Sequence, residues 1–322
     1  MRRRGLVVPP IIGDSRVIRR LVTLARRVAP GRHALLLAGA TGTGKEAFAR
    51  NIHAWSGVRG ALVDVNCAAL PEGLIEGLLF GAKRGAYTGA VADQRGFVEA
   101  AQGGTLFLDE LDSLPLEGQG KLLRVLETGE VERLGETESR SVRFRLIAAV
   151  KDDIGCAVEA GGFRRDLFMR IAGFVLSLPP LVKRPEDLML LAAHFAAAEG
   201  RAVDPACEPV LRRYWWPGNV RELRMTLQRA SVLTSGISIG PVIMAEAMAM
   251  IPQWAESHPA FPPDVEILHA CSEYRWHAQR TARALGMGRT TLWRRLGALG
   301  LSLRQAKKGE PIVSRVARGR DS

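Results

Sequence analysis

The chain has 322 residues, 47% of them hydrophobic, with 45 Lys or Arg against 33 Asp or Glu for a formal charge of +12. That length supports one sizeable core with one or two smaller satellites. With no long apolar run and no signal-peptide pattern in MRRRGLVVPP, neither a membrane-spanning helix nor secretion is expected, and a cytoplasmic protein without a membrane partner is.

The first predicted strand, 34–38, leads into Gly39-Ala40-Thr41-Gly42-Thr43-Gly44-Lys45-Glu46, the G-x-x-x-x-G-K pattern of a phosphate-binding loop. Its glycines let backbone N–H groups curl around phosphates, a helix starting near Gly44 adds its positive end, and Lys45 supplies a full charge. These eight residues are the expected ATP-binding loop, with Glu46 where the general pattern has Ser or Thr to reach magnesium. A second strand, 61–65, leads to Asn66 in Val65-Asn66-Cys67-Ala68-Ala69. The hexapeptide Gly85-Ala86-Tyr87-Thr88-Gly89-Ala90 follows, and taken alone it reads as a small-residue hairpin.

The apolar strand 105–109 ends in two adjacent acids, Asp109 and Glu110. Beside a phosphate loop their expected roles differ: Asp109 holds Mg2+ and Glu110 polarises the attacking water, because phosphoryl transfer is helped mainly by positioning and charge compensation. Elsewhere such a pair merely ends a strand at the surface. Strand 144–150 completes a set that alternates with helical stretches such as 118–127, which predicts an α/β domain with a parallel sheet. Phe163-Arg164-Arg165-Asp166-Leu167-Phe168-Met169-Arg170 comes next, and its arginines can always form surface pairs with Asp166 and nearby acids. Residues 186–235 read as a small helical lid containing Trp216-Pro217-Gly218-Asn219-Val220-Arg221-Glu222-Leu223, with Asn219 placed to cap a helix. Pro252, Pro259, Pro262 and Pro263 mark a linker over 237–263, with room for one helix at its start.

From Phe261 onward 12 Lys or Arg face 5 Asp or Glu, a net +7. That basicity fits nucleic acid, and also mere solubility or membrane-surface contact. Two helices, 278–285 and 289–299, flank a Gly286-Met287-Gly288 turn, and Leu285, Leu292, Leu296 and Leu299 make one apolar stripe. The opposite face carries Arg289, Thr290, Thr291, Arg294 and Arg295, a helix-turn-helix arrangement in which Arg289 suits a base edge and Thr291, Arg294 and Arg295 suit phosphates. An Arg-rich helix closing a small bundle is the competing reading. Lys307, Lys308, Arg315, Arg318 and Arg320 belong to an expected disordered basic tail. Cys67, Cys156, Cys207 and Cys271 lack C-x-x-C spacing, so reduced thiols are expected, most of them packing residues.

Together these motifs resemble the bacterial enhancer-binding proteins, AAA+ ATPases that remodel RNA polymerase holding sigma-54. The hexapeptide resembles their GAFTGA loop, with Tyr87 where most members have Phe. The octapeptide at 216–223 matches W-P-G-N-x-R-E-L, and the basic end resembles their Fis-type helix-turn-helix. The resemblance to the AAA+ core runs over 11–235, giving an α/β subdomain at 11–180, a helical lid at 181–236, the linker at 237–263, an all-α helix-turn-helix domain at 264–305 and the tail at 306–322.

The resemblance implies that residues 85–90 contact sigma-54, that Asn66 pairs with Glu110 and switches it, and that Arg221 is the sensor II group. It implies Arg164 and Arg170 as arginine fingers acting in trans, which requires a ring, a hexamer of this chain or a mixed ring with a homologue. Glu at position 46 is usual in the family. Val150-Lys151 departs from it, standing where Thr-Asn is usual; an ammonium cannot both donate and accept as an amide does, so slow or partner-dependent ATP turnover is expected. Leu78 and Ala82-Lys83 also depart, which puts the polar contacts beneath the loop in question. Only residues 1–10 precede the core, where most members carry a receiver or sensing domain, so control is expected from expression level, a separate protein or a co-activator subunit. More narrowly, the chain resembles the Hrp-type activators of type III secretion genes. The expected ligands and partners are ATP, Mg2+, enhancer DNA and sigma-54 RNA polymerase. Two other expectations compete: a DNA-binding regulator on an AAA+ scaffold that works without sigma-54 remodelling, and a remodelling ATPase that acts on protein without DNA.

Overall fold

In the computed structural model, which describes residues 8–87, 89–250, 277–285 and 287–298, the chain forms two units, 1–248 and 249–322. The first begins α1 (Arg16–Val28), β1 (Leu35–Ala38), α2 (Lys45–Trp55), β2 (Leu62–Asn66), α3 (Ile75–Phe80), α4 (Phe97–Ala100) and β3 (Thr105–Asp109). It continues with α5 (Leu116–Thr128), β4 (Glu130–Glu132), β5 (Ser139–Ser141), β6 (Arg145–Val150), α6 (Ile154–Glu159), α7 (Arg165–Ile171) and β7 (Phe174–Ser177). The five-stranded sheet has the order β2-β3-β6-β1-β7, and every neighbouring pair is parallel.

Both faces of this sheet are buried, as parallel strands covered by helices require. Leu36, Leu106, Leu108, Leu146 and Ala148 point into one core with Leu79, Phe80, Leu122, Val125, Leu167 and Ile171 of α3, α5 and α7. Their neighbours Leu35, Leu37, Phe107, Ile147 and Ala149 point the other way, against Ala25 of α1 and Phe48, Ala49 and Ile52 of α2. Asn66, Asp109, Val150 and Ala38 each end a strand, so all four stand at the same edge of the sheet. The sequence did not announce β7, an edge strand with Phe174 and Val175 exposed.

The lid comprises α8 (Asp187–Ala198), β8 (Ala202–Val203), α9 (Glu208–Arg212), α10 (Asn219–Leu233), β9 (Ser238–Ile239) and α11 (Pro241–Ala249). Leu188, Leu191, Leu211, Trp216, Leu223 and Leu227 form its core. The stretch read as linker from 237 begins inside this core: β9 pairs with β8, and Ile239, Met244 and Ala247 are buried with the helices. The prolines that marked the linker all lie in 251–276, outside the described residues. In the second unit α12 (Ala278–Ala284) and α13 (Arg289–Ala298) pack through Ala282, Leu292 and Leu296, with Leu285 against them. Leu299, the fourth residue of the predicted stripe, lies outside the described residues, as does the tail.

Candidate functional site

The loop 39–45 leaves the end of β1, and the Gly39 amide donates to the Val150 carbonyl at 3.2 Å, which joins the loop to β6. Lys45 is 9% exposed and its ammonium donates to the Gly39 and Ala40 carbonyls at 2.6 and 3.3 Å. Burial lowers its pKa, opposed by Asp109, Asp112, Glu110 and Asp152. Gly44 opens α2 at φ 109°, with nothing within 4 Å of where a Cβ would stand. Gly42, at φ 78°, is constrained differently, since a Cβ there would stand 2.2 Å from the Gly218 carbonyl oxygen of the lid.

The lid segment is therefore seated directly on the phosphate loop. Val220 donates its amide to the Gly42 carbonyl at 2.9 Å. Asn219 was expected to cap α10, and the structure corrects that reading. Its side chain donates to the Thr41 carbonyl at 2.9 Å and accepts the Leu181 amide at 2.7 Å, while its backbone takes a left-handed φ of 53°. The Glu222 carboxylate instead accepts the Gly218 amide at 2.7 Å. Arg221 is exposed beside the loop, its Cβ 3.1 Å from a Cβ built on Gly42.

Asn66 and Asp109 are register partners on β2 and β3, which brings Asn66 beside the Asp109-Glu110 pair. The Asn66 side-chain oxygen accepts the Ala68 and Ala69 amides at 2.9 and 3.3 Å, so it caps its own turn in this conformation. Burial raises the Asp109 pKa, opposed by the Glu110 amide at 3.0 Å and by Lys45. Glu110 has a left-handed φ of 51°, a backbone conformation that non-glycine residues adopt at some energetic cost and that recurs at functional sites. Arg50 joins Glu46 at 2.8 Å to Asp64 at 2.6 Å along the flank. Lys151 lies 3.7 Å from Asp112, whose other carboxylate oxygen is buried without a partner. Burial and the neighbouring acids push the Cys67 thiol up to about 12, so it stays protonated; Cys207 is also buried, Cys156 is exposed and Cys271 is outside the described residues.

Beside the loop lies a cavity of about 320 Å3, walled by Ile11, Ile12, Phe48, His194, Phe195 and Val220, with Thr43 and Gly44 at its edge and Arg184 and Arg224 among its lining. Apart from Val220, which falls in the octapeptide at 216–223, no motif in the sequence marks the side chains lent by the lid and the N-terminal segment. The signal was present in Arg184 and Asp187, two charged residues at the start of the lid. Arg184 donates to the Thr43 carbonyl at 2.8 Å. Asp187, fully buried, accepts from the Asp14 and Ser15 amides at 2.7 Å and from the Ser15 hydroxyl at 2.8 Å, which pins the segment that walls the cavity.

The 85–90 loop is a hairpin closed by the Gly85 amide donating to the Ala90 carbonyl at 2.8 Å. Thr88 lies outside the described residues. Tyr87 is half-buried over α3: a Cβ on Gly77 would stand 3.2 Å from its ring. The base of the loop is joined to the β4–β5 hairpin. Lys83 donates its amide to Leu134 at 2.9 Å, Leu134 donates to Gly81 at 2.9 Å, and the Lys83 ammonium meets Glu136 at 2.9 Å. Glu136, 3% exposed, also meets Arg140 at 3.1 Å. The polar contacts questioned from the sequence are thus present, built around Lys83.

The two arginines expected as fingers, Arg164 just before α7 and Arg170 on it, are engaged within the chain. Arg164 forks onto Asp166 at 3.0 and 2.7 Å, and Arg170 donates to the Leu126 carbonyl at 2.6 Å. On α13 Arg289, Thr290 and Arg294 are exposed, and Thr291 and Arg295 half-buried.

The Sigma-54 interaction domain family matches residues 11–177, the AAA+ ATPase lid domain family 182–257 and the Fis family of bacterial regulatory proteins 265–299. The chain belongs to the sigma-54-dependent activators. Within that family it is 42% identical over 328 residues to the DNA-binding transcriptional activator HyfR of Escherichia coli (strain K12), across 94% of this chain and 49% of HyfR, so it spans about half of that relative. It is 48% identical over 202 residues to the pathogenicity locus probable regulatory protein HrpS of Pseudomonas syringae pv. syringae, across 61% of this chain and 67% of HrpS. The crystal structure of NtrX from Brucella abortus in complex with ATP aligns with a TM-score of 0.68 at 31% identity, covering 91% of this chain and 70% of NtrX. The three matches follow one another along the chain as a sigma-54 interaction domain, an AAA+ lid and a Fis-family segment. Among the described residues no helix is long and apolar enough to cross a membrane.

Proposed function

We propose that the chain binds enhancer DNA through α13, hydrolyses ATP between the sheet edge and the lid, and uses the hydrolysis to drive the 85–90 loop against sigma-54 RNA polymerase. The likeness to ATP-bound NtrX supports the nucleotide, and so does the fit of the site. The open space at Gly44, the Lys45 ammonium and the adjoining cavity suit phosphates at one end and a flat apolar base at the other. ATP supplies a γ-phosphoryl group for transfer to water. Gly39 to Glu46 hold the phosphates with Lys45 as the fixed charge, and Arg221 approaches from the lid. Mg2+ bound together with phosphates needs only one or two protein carboxylates, and Asp109 beside Glu110 meets that need. Glu110 orients the attacking water and takes its proton, with Asn66 beside it as the group that switches it. Arg164 and Arg170 act on a neighbouring subunit's nucleotide in a hexameric ring, of this chain alone or mixed with a homologue. Lys151 pairs with Asp112 where an amide is usual in the family, which supports slow or partner-dependent turnover.

The single observation that carries the coupling is a continuous path. Gly39 bonds to β6, β6 follows the β4–β5 hairpin, and that hairpin holds the loop base at Lys83. Likeness to HrpS, a probable regulatory protein of a pathogenicity locus, supports pathogenicity genes as targets, and those of type III secretion are the ones proposed here. Purified chain should bind ATP, and Glu110→Gln should keep that binding while hydrolysis falls about 100-fold or more. Hydrolysis unchanged in that variant would overturn the assignment.

A further inference from the structure

A second dense stretch of positive charge lies outside the helix-turn-helix. Residues 1–33 hold nine arginines and one aspartate, a net +8 in a tenth of the chain. Five of those arginines are on α1, which has no acid, and all five are exposed. Ile18, Leu21, Val22 and Ala25 turn inward, Ile18 and Ala25 fully buried. Helical spacing then aligns Arg16, Arg20, Thr23 and Arg27 in a ladder about 16 Å long. With Arg19 and Leu24 they wall a shallow groove of about 550 Å3. Arg19 reaches Asp14 at 3.4 Å and Arg26 lies 4.8 Å over the Trp55 ring. Among the described residues no acid pairs with Arg16, Arg20 or Arg27.

We infer that this face of α1 is a second DNA contact, which holds duplex phosphates without reading bases. The inference rests on the DNA-binding part of the proposed function. Duplex DNA presents one negative charge per roughly 1.7 Å of axis, so a rigid ladder of guanidiniums meets phosphates wherever it is laid. A membrane is the poorer occupant, because the apolar side of α1 is already in the protein core and only Val17 and Leu24 are exposed among its large apolar residues.

The test measures binding of the full chain to a random-sequence duplex across a range of salt. Variants are Arg16→Gln/Arg20→Gln/Arg27→Gln, the matching Lys triple, and each of these combined with Arg289→Ala/Arg294→Ala. The Gln triple should weaken binding about tenfold or more near 0.1 M salt and flatten the log–log salt slope by about 2.7, in both helix-turn-helix backgrounds. The Lys triple should keep the slope, and thermal melting and ATP hydrolysis should not change. A slope unchanged by the Gln triple would overturn the inference. So would loss of binding to phosphatidylserine vesicles with no loss on DNA. Because the readout needs neither sigma-54 nor nucleotide, failure of the remodelling reading leaves this result interpretable.

Discussion

At the scale of single residues, Asn219 has the largest structural consequence for its size. It is 2% exposed and ties the lid backbone at Leu181 to the phosphate loop at Thr41. Removing its amide leaves the buried Leu181 N–H unpaired, cuts the link to the Thr41 carbonyl and puts an alanine at a left-handed backbone position. Asn219→Ala should therefore cost about 2–4 kcal/mol in urea denaturation and weaken ATP binding as well. His53 makes a different contribution. It is buried against the Thr105 hydroxyl at 2.8 Å, and burial, reinforced by Arg145, lowers its pKa below the ordinary 6.5. The unfolded chain then binds more protons at this site, so its share of stability is complete above pH 6.5 and is lost as pH falls through the folded value. The stability of the wild type should decline more steeply than that of His53→Gln as pH is lowered from neutrality, read as the difference between the two denaturation midpoints.

At the scale of elements, the β4–β5 hairpin connects the loop to the sheet. Glu136 is nearly buried between Lys83 and Arg140, so Glu136→Ala leaves two cations facing each other with no anion. Amide exchange at Lys83 and Gly85 should accelerate about tenfold or more in that variant, while β6 amides keep their protection. Equal protection at both places would mean that the hairpin does not hold the loop. The same scale shows what the sequence made legible. The apolar runs at 34–38, 105–109 and 144–150 were readable because a doubly covered parallel strand is apolar on both faces. The phosphate loop, the acid pair and the hairpin string were readable because each is contiguous. The short strands β4, β5, β8 and β9 have no long apolar run to mark them, and the edge strand β7 is apolar over only three residues. The cavity wall is assembled from four separate segments, so no local pattern announces it. Asn219 sits at the start of a helix, the usual place for a cap, and only the fold reveals that the phosphate loop lies within its reach.

At the scale of the whole molecule, a single chain holds the phosphate loop, the acids and the loop, yet Arg164 and Arg170 are directed at its own surface. Exposed pairs such as Arg164 with Asp166 contribute little, so in the proposed ring a neighbour's phosphate can displace Asp166 at small cost. That arrangement suits the proposed ring. If ATP hydrolysis is delivered to sigma-54 through residues 85–90, open-complex formation on a sigma-54 promoter must depend on that loop. Wild-type chain with ATP should open the promoter, while Thr88→Ala should bind and hydrolyse ATP but leave the promoter closed. Opening that survives Thr88→Ala, or that proceeds equally with sigma-70 polymerase, would contradict the account.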